Sequence, residues 1–461
     1  MMRSLYSGVS GLRNHQVRMD VLGNNIANVN TYGFKMSRVS FQDILSQTVS
    51  GAAAPTAEKG GVNPKQVGLG MNVASIDKVF TQGSLQTTGL NLDLALQGDG
   101  FFVEERGEEI FYTRAGAFAL DKNGTLVNPA NGLRVKGWQA IQAGTEYIIN
   151  TSGDMEDIVV PIGGKDPAQA TSVVRYRSNL FSETPLLPED RPPTVQELLD
   201  STIATNIDLY DSKGNVHVVN LEFTRIAGET NAWRANASVE GADPETLSLD
   251  VGGPNISDSS TIIVRFNNAG APVSIDEAPG LPGAPADTIT EGRLTATLNI
   301  TFPADGITQA IELDFGTSGL YDGITQFAAT SSAKAYEQDG YGMGYLESFT
   351  VDNAGVITGV YTNGKKAPIA QLAVATFTNP QGLTAEGDNT FRQTNNSGLA
   401  NIGSADTGGR GRITAGALEM SNVDLAEQFT DMIVTQRGFQ ANSRSITTSD
   451  QMLQELLTLK R

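Results

Sequence analysis

The chain has 461 residues, enough for two or three domains with cores of their own, at 39% hydrophobic and 18% charged residues. Its formal charge is −19, from 51 acidic against 32 basic residues, and no basic patch offers itself to a phosphate backbone, which excludes nucleic-acid binding. It contains no cysteine, which removes disulfides, thiolate zinc sites, iron–sulfur clusters and cysteine nucleophiles.

In chain order, the N-terminus comes first. Met1 to Asn25 interrupts its apolar residues with Arg3, Arg13, Arg18 and Asp20 and lacks the continuous apolar core of a cleaved signal peptide. No run of 18 apolar residues occurs anywhere, so no membrane insertion is expected. The chain stays inside the cell or leaves by a route that needs no such peptide. Leu5, Val9, Leu12, Met19, Leu22 and Ile26 keep a near-heptad register, broken by Asn24, Asn25, Asn28 and Asn30. Such a row predicts a helix with one apolar stripe that asks for a partner. Gln47 to Gly70 follows, rich in Gly, Ser, Asn and Ala, and reads as an extended connector.

The middle of the chain reads as β. Leu92 to Val103 suggests a strand and turn, Phe111 to Leu120 alternates, and Asn123-Gly124 and Asn131-Gly132 mark tight turns. A second β set runs from Phe349 to Phe377. Between the two lies an acidic insert: residues 146–344 hold 29 acidic and 10 basic residues, and the rest of the chain balances at 22 of each. Ile203 to Leu209, Val216 to Ile226, Thr261 to Phe266 and Arg293 to Phe302 are its strand candidates, with an exposed loop expected around Ala278 to Ala286. Gly387 to Gly411 again reads as a connector. The C-terminus closes with Leu425, Phe429, Met432, Phe439, Ile446, Leu453 and Leu457 in heptad register, which predicts one helix over Asn422 to Leu459, roughly 55 Å long.

The expected fold is mainly β domains with long α-helical N- and C-termini that pack as a coiled coil, in nested, discontinuous domains. Residues 1–30 and 418–461 would form a helical inner core for assembly, and 31–70 and 390–417 extended linkers. Residues 71–160 and 340–389 would form a β domain, and 161–339 an acidic outer β insert with room for two subdomains.

Nothing in the sequence assembles a catalytic centre. His15 and His217 lie far apart, without a second ligand at metal spacing. Gly98-Asp99-Gly100 and Gly340-Tyr341-Gly342 lack the Lys and helix start of a phosphate loop. The pairs Glu104-Glu105 and Glu108-Glu109 flank a turn at Gly107 and read as solvated hairpin tips rather than an acid–base pair. No enzyme activity, cofactor or metal is expected.

Two stretches at the ends and one in the middle carry a resemblance. Asn24 to Lys35 (NNIANVNTYGFK) resembles the N-terminal signature of flagellar rod and hook proteins. Leu92 to Val103 (LDLALQGDGFFV) and Tyr112 to Gly116 (YTRAG) look like the family's central β motif. Gly416 to Leu425 (GALEMSNVDL) and Gln436 to Arg444 (QRGFQANSR) look like its C-terminal helix. The match covers about 1–160 and 340–461, and length favours the hook branch over the shorter rod proteins. The alternatives are a distal rod protein or a self-associating secreted β-rich surface protein.

The resemblance implies a non-enzymatic subunit that leaves unfolded through the flagellar type III export apparatus, with end helices disordered until assembly. It implies self-assembly into a helical tube acting as a flexible joint between rod and filament, beside rod, hook-cap and hook–filament junction proteins. The location implied is the hook, outside the cytoplasmic membrane, or the periplasm where flagella are periplasmic. Some hooks of periplasmic flagella are cross-linked by lysinoalanine, formed from a cysteine of one copy and a lysine of the next. Lys165 suits the lysine role, and Ser178 stands where the cysteine is expected; a hydroxyl is a far worse leaving group, so cross-linking is not expected here.

Overall fold

The computed structural model describes residues 2–55, 59–143, 146–187, 194–227, 229–239, 247–251, 260–277, 288–301, 308–332 and 335–458. The protein is mainly β with a helix at each end, Met2–Ala27 and Leu425–Thr458. It divides into two units, one of Met1–Ile162, Glu347–Val360 and Lys366–Arg461, the other of Gly163–Leu346 and Tyr361–Lys365.

The first unit is organised by strand Lys366–Thr376. Ile369 to Ala375 is buried almost without interruption, the pattern of a strand covered on both faces. It pairs with Arg134–Ala143, Val356–Tyr361, Phe101–Arg106 and Asn401–Ser404. Phe101, Phe377, Phe391 and Tyr112 meet edge to face beneath it, with ring centroids 4.8–5.8 Å apart, the geometry that the ring quadrupoles favour.

The expected linkers need correction. Residues 390–417 belong to the β core: Phe391 is buried in it, Arg412–Ala415 pairs with Leu94–Gln97, and Ala417–Glu419 pairs with Leu85–Thr87. The glycines and asparagines that suggested a loose connector instead supply left-handed turn positions, at Asp388, Asn389, Asp406, Gly398, Gly408 and Gly409. Residues 31–70 are extended but paired: Ser37–Asp43 with Met71–Lys78, and the fully exposed Ser46–Ser50 with Lys65–Gly68.

The second unit packs two sheets. One has the order Thr202–Tyr210, Val216–Arg225, Ala232–Val239, Thr261–Phe266, Pro272–Glu277, Thr288–Ile289. The other has the order Leu247–Asp250, Arg293–Thr301, Thr308–Thr317, Val173–Tyr176, Ala335–Gln338. Strict alternation of buried and half-buried residues along Thr261–Phe266 and Arg293–Thr301 aims Ile262, Val264, Leu294 and Leu298 at a core that includes Trp233, Phe223 and Phe315. The four strands expected here lie within a residue or two of their expected limits. The loop expected at 278–286 lies outside the described residues.

Among the described residues, one Asx-glycine turn is written four times. The carbonyls of Asp121, Asp211, Asn267 and Asp352 each accept from the amide of a glycine three residues on, and each of these residues donates its own amide to the carbonyl of the residue after that glycine, Thr125, Asn215, Ala271 and Val356. In all four the side-chain Oδ1 accepts the amide four residues on, and the glycine has φ between +79° and +86°. This is the hairpin turn closed by a left-handed glycine.

The reading of Glu104 as a solvated tip is overturned. Its side chain is 0% exposed on strand Phe101–Arg106. Asn128 and Asn131 donate to its two oxygens at 2.9 and 3.4 Å, tying the Asn131-Gly132 turn to the sheet. Burial raises its pKa to about 7, and the two asparagines oppose this only in part. The folded value lies above the ordinary 4.5, so the stability this group supports is full below pH 4.5 and is lost as pH rises through about 7. Wild-type protein should therefore lose up to about 3 kcal/mol relative to Glu104→Gln between pH 4.5 and 8. Urea titrations of both proteins at the two pH values check this; parallel pH profiles would refute it.

Candidate assembly site

The two terminal helices pack side by side and antiparallel. Asn25 Nδ2 donates to Gln428 Oε1 at 2.9 Å and Arg18 pairs with Asp431 at 2.8 Å. Further along, His15 lies against Gly438, Gly11 against Asn442 and Gly8 against Ile446. A Cβ on Gly11 would stand 2.6 Å from the Asn442 side chain, and one on Gly438 2.7 Å from His15. Glycine is thus what lets the two backbones approach at these crossings. The N-terminal helix is also pinned to the strands beside it: Asn14 donates to the Met71 carbonyl at 2.6 Å, and Asn25 bridges the Ser37 carbonyl and amide at 2.8 and 3.0 Å.

This contact runs along a different row from the heptad rows that the sequence marks. Gly8, Gly11, His15, Arg18 and Asn25 meet Ile446, Asn442, Gly438, Asp431 and Gln428 in turn. Apart from Ile446, itself an expected seam residue, each stands one position before the heptad row, a rotation of about 100°. Of the residues expected at the seam, Leu22 is buried at 5% exposure. Leu5, Leu12, Met19, Ile26, Met432, Ile446 and Leu453 are half-buried. Val9, Leu425, Phe429 and Phe439 are exposed, at 38%, 41%, 51% and 37%. The side chain of Leu457 lies outside the described residues. As the contact between the ends of one chain, the expected seam is corrected in part: Ile446 lies in the contact and Leu22 is buried, but close approach otherwise selected a row of glycines and polar side chains rather than the apolar row.

At the base of the helices a polar clasp joins all three stretches that carry the resemblance. Glu419 is 1% exposed. Its Oε1 accepts from Lys35 Nζ at 2.7 Å and the Gly83 amide at 2.9 Å, and its Oε2 lies 3.4 Å from Arg114. Lys35 also donates to the Thr81 carbonyl at 2.8 Å, and Arg114 to the Gly98 carbonyl at 2.8 Å. Burial pushes the Lys35 ammonium below the ordinary lysine range, with Glu419 opposing it; burial likewise lowers Arg114.

Gly33 makes the crossing possible. It donates its amide to the Glu419 carbonyl at 2.8 Å with φ +69°, and a Cβ there would stand 2.6 Å from the Ala115 amide. Asn422 completes the clasp by accepting from the Met36 amide and donating to the Val79 carbonyl, both at 2.8 Å. Sequence reading quoted Lys35, Arg114 and Glu419 inside motifs without assigning them a role, and placed Asn422 at the start of the C-terminal helix, which begins instead at Leu425 with Asp424 Oδ1 accepting from the Ala426 and Glu427 amides. A lone charge in an apolar stretch was the available signal, as in Phe34-Lys35 and Leu418-Glu419-Met420.

In the other unit, Lys165 is exposed on strand Lys165–Asp166, its Nζ 5.8 Å from the centre of the Tyr345 ring. Ser178 is 8% exposed on strand Ser178–Phe181, and its buried hydroxyl has no hydrogen-bond partner among the described residues.

Family models match four stretches of the chain: flagella basal body rod protein over residues 5–35, flagellar hook protein FlgE/F/G D1 domain over 95–172, flagellar basal body protein FlaE D2 domain over 179–341, and the flagellar basal body rod FlgEFG protein C-terminal region over 414–459. These define a structural component of the flagellar rod and hook. The chain is 50% identical to the flagellar hook protein FlgE of Treponema pallidum over 465 residues, and 50% identical to that of Borreliella burgdorferi over 461, covering all of both chains in each case. It is 32% identical to the flagellar hook protein FlgE of Salmonella typhimurium, over 99% of this chain and all of that one. The chain belongs to the flagellar hook protein family.

Replacing Glu419 with Gln leaves two cations buried against a neutral amide. Breaking a buried ion pair from one side costs about 3–5 kcal/mol, so Glu419→Gln should lower the unfolding free energy of the first unit by that amount, read from urea titrations. A loss under about 1 kcal/mol would show that water reaches the clasp.

Proposed function

We propose that this chain is a self-assembling structural subunit of a bacterial flagellar hook, outside the cytoplasmic membrane, whose exposed helical rows pack against neighbouring copies. The observation that carries this reading is the rotated helix contact. The ends of one chain meet along small and polar residues, which leaves Leu425, Phe429 and Phe439 exposed as a row of large apolar side chains. A soluble monomer gains nothing from such a row, and covering it in an assembly removes it from water at about 25 cal/mol per Å². Contacts of one patch with a different patch on the next copy generate an open helix wherever the rotation between copies does not close into a ring.

In this reading residues 1–30 and 418–461 form the inner layer, as supercoiled helices shared between copies. The β unit surrounds them, and the acidic insert 161–339 faces outward. The tube acts as a flexible joint that carries torque from rod to filament, beside rod, hook-cap and junction proteins, after export through the type III apparatus. The clasp at Glu419 supports this assignment, because it fixes the helices to the β unit that would bear the load. All four family models describe rod and hook structural proteins, which supports a structural rather than an enzymatic role.

Phe429→Asp and Phe439→Asp test the reading. Both positions are exposed in the single chain, so the variants should melt within about 0.5 kcal/mol of wild type. In an apolar interface each charge costs several kcal/mol, so polymers should fail to form, as followed by sedimentation and electron microscopy. Normal polymers from both variants would remove this row from the interface.

Covalent cross-linking is not part of the proposal. Elimination to dehydroalanine at Ser178 would have to expel hydroxide from a buried position, so assembled hooks of this chain should run as monomers on a denaturing gel. A ladder of multimers would overturn that expectation, and Ser178→Ala would then identify whether Ser178 is the residue involved.

A further inference from the structure

We propose that His15 makes the contact between the terminal helices acid-labile, so that protonating its ring drives the two helices apart. The ring sits at a crossing where only glycine fits: a Cβ on Gly438 would stand 2.7 Å from Nε2 and 2.8 Å from Cε1. On its other side the edge of the ring meets Phe41, with centroids 6.0 Å apart at 72°. Nδ1 is buried and has no hydrogen-bond partner among the described residues. A neutral ring tolerates this as a bare acceptor nitrogen. A protonated ring carries an N–H at both nitrogens, and the buried one then lacks an acceptor, which is the costly state for a polar group.

The charges around the ring offer no compensation. Arg18, one turn on along the same helix, repels an imidazolium. Asp431, on the opposing helix, is held by Arg18 at 2.8 Å. Arg437 and Arg444 on that helix are exposed and of the wrong sign, and Arg38 and Asp43, on the strand that carries Phe41, are exposed. On the strand paired with it, Asp77 is half-buried and accepts from Ser75 at 2.8 Å, and Lys78 is a cation. Burial, and then Arg18, accordingly hold the His15 pKa below its ordinary 6.5. For a group lowered by folding, the stability is present above the unfolded value and is lost as pH falls through the folded one. The window therefore opens at about pH 6.5 and extends downward. The loss is local, because the ring touches the sheets only through Phe41 on strand Ser37–Asp43.

The experiment uses polymers of the full-length chain formed at pH 8. As pH is lowered from 8 to 4.5, the polymerised fraction of wild type should fall once the pH passes below about 6.5, read by sedimentation. Polymers of His15→Gln, which fills the site without titrating, should persist to lower pH. Coincident wild-type and His15→Gln curves, or wild-type polymers unchanged to pH 4.5, would overturn the proposal. If His15→Gln does not polymerise at pH 8, hydrogen exchange on wild-type polymers decides. Faster exchange at pH 5.5 confined to residues 8–25 and 428–446 supports the proposal, and uniform acceleration across the β sheets overturns it. Polymer formation by wild type at pH 8 tests the assembly reading separately, so the two ideas can fail independently.

Discussion

The carboxylate of Glu419, buried and shared between Lys35, Arg114 and the Gly83 amide, is the interaction on which the first unit depends. Its partners come from the stretch after the N-terminal helix and from the central β motif, while Glu419 itself stands just before the C-terminal helix. A buried carboxylate left alone would cost several kcal/mol, and so would either cation. The three therefore have to arrive together or the core does not close. That requirement converts sequence separations of 384 and 305 residues into a fixed geometry at the root of both helices. Apolar packing around it is interchangeable in kind, but the charge complement is not, since no other buried acid is placed to receive Lys35 among its described partners.

From that root the helices leave as a pair whose mutual adhesion is modest by construction. Their contact is made of glycines, amides and one partly exposed ion pair between Arg18 and Asp431, the last of which is worth at most about 1 kcal/mol. The C-terminal helix is also rich in Ser and Thr that bond back to their own helix, as Thr430, Thr435, Thr447, Thr448 and Ser449 do to the carbonyl four residues before each. Such bonds compete with the helix more than they support it. A pair built this way holds its shape only with further burial, and the apolar row lying beside the contact is where that burial is on offer. Weak adhesion within the chain and the adhesion proposed between chains are thus two consequences of one rotation of about 100° on each helix.

Much of this was legible along the sequence, and the errors share a cause. The helices, the β character of both sets of strands and the four strands of the insert follow from periodicity, because apolar spacing of 3.5 or 2 residues is a local property. The turns at Asn123-Gly124 and Asn131-Gly132 were legible for the same reason, since Asx side chains and a left-handed glycine act within five residues. Where the reading failed, it had treated composition as if it were environment. Glu104 looked like a hairpin-tip charge because its neighbours Glu105 and Gly107 are polar, yet the asparagines that allow its burial lie 24 and 27 residues away. Residues 390–417 looked like a linker because their glycines and asparagines were counted without the strands that they join.

The sequence by itself determined that both ends are helices, that the body is β, and that the negative charge is confined to the insert, because each is set by spacing or by a sum over neighbours. It also carried the family likeness, and with it the three stretches that matter. Only the tertiary structure decided which face of each helix meets the other and which charges are buried. Helix rotation is chosen by how closely two backbones can approach, which depends on pairing Gly8, Gly11 and Gly438 with side chains hundreds of residues away. The clasp is chosen by desolvation, and whether Lys35 or Glu419 lies in water or in the core is a property of the folded unit, not of the residues beside them.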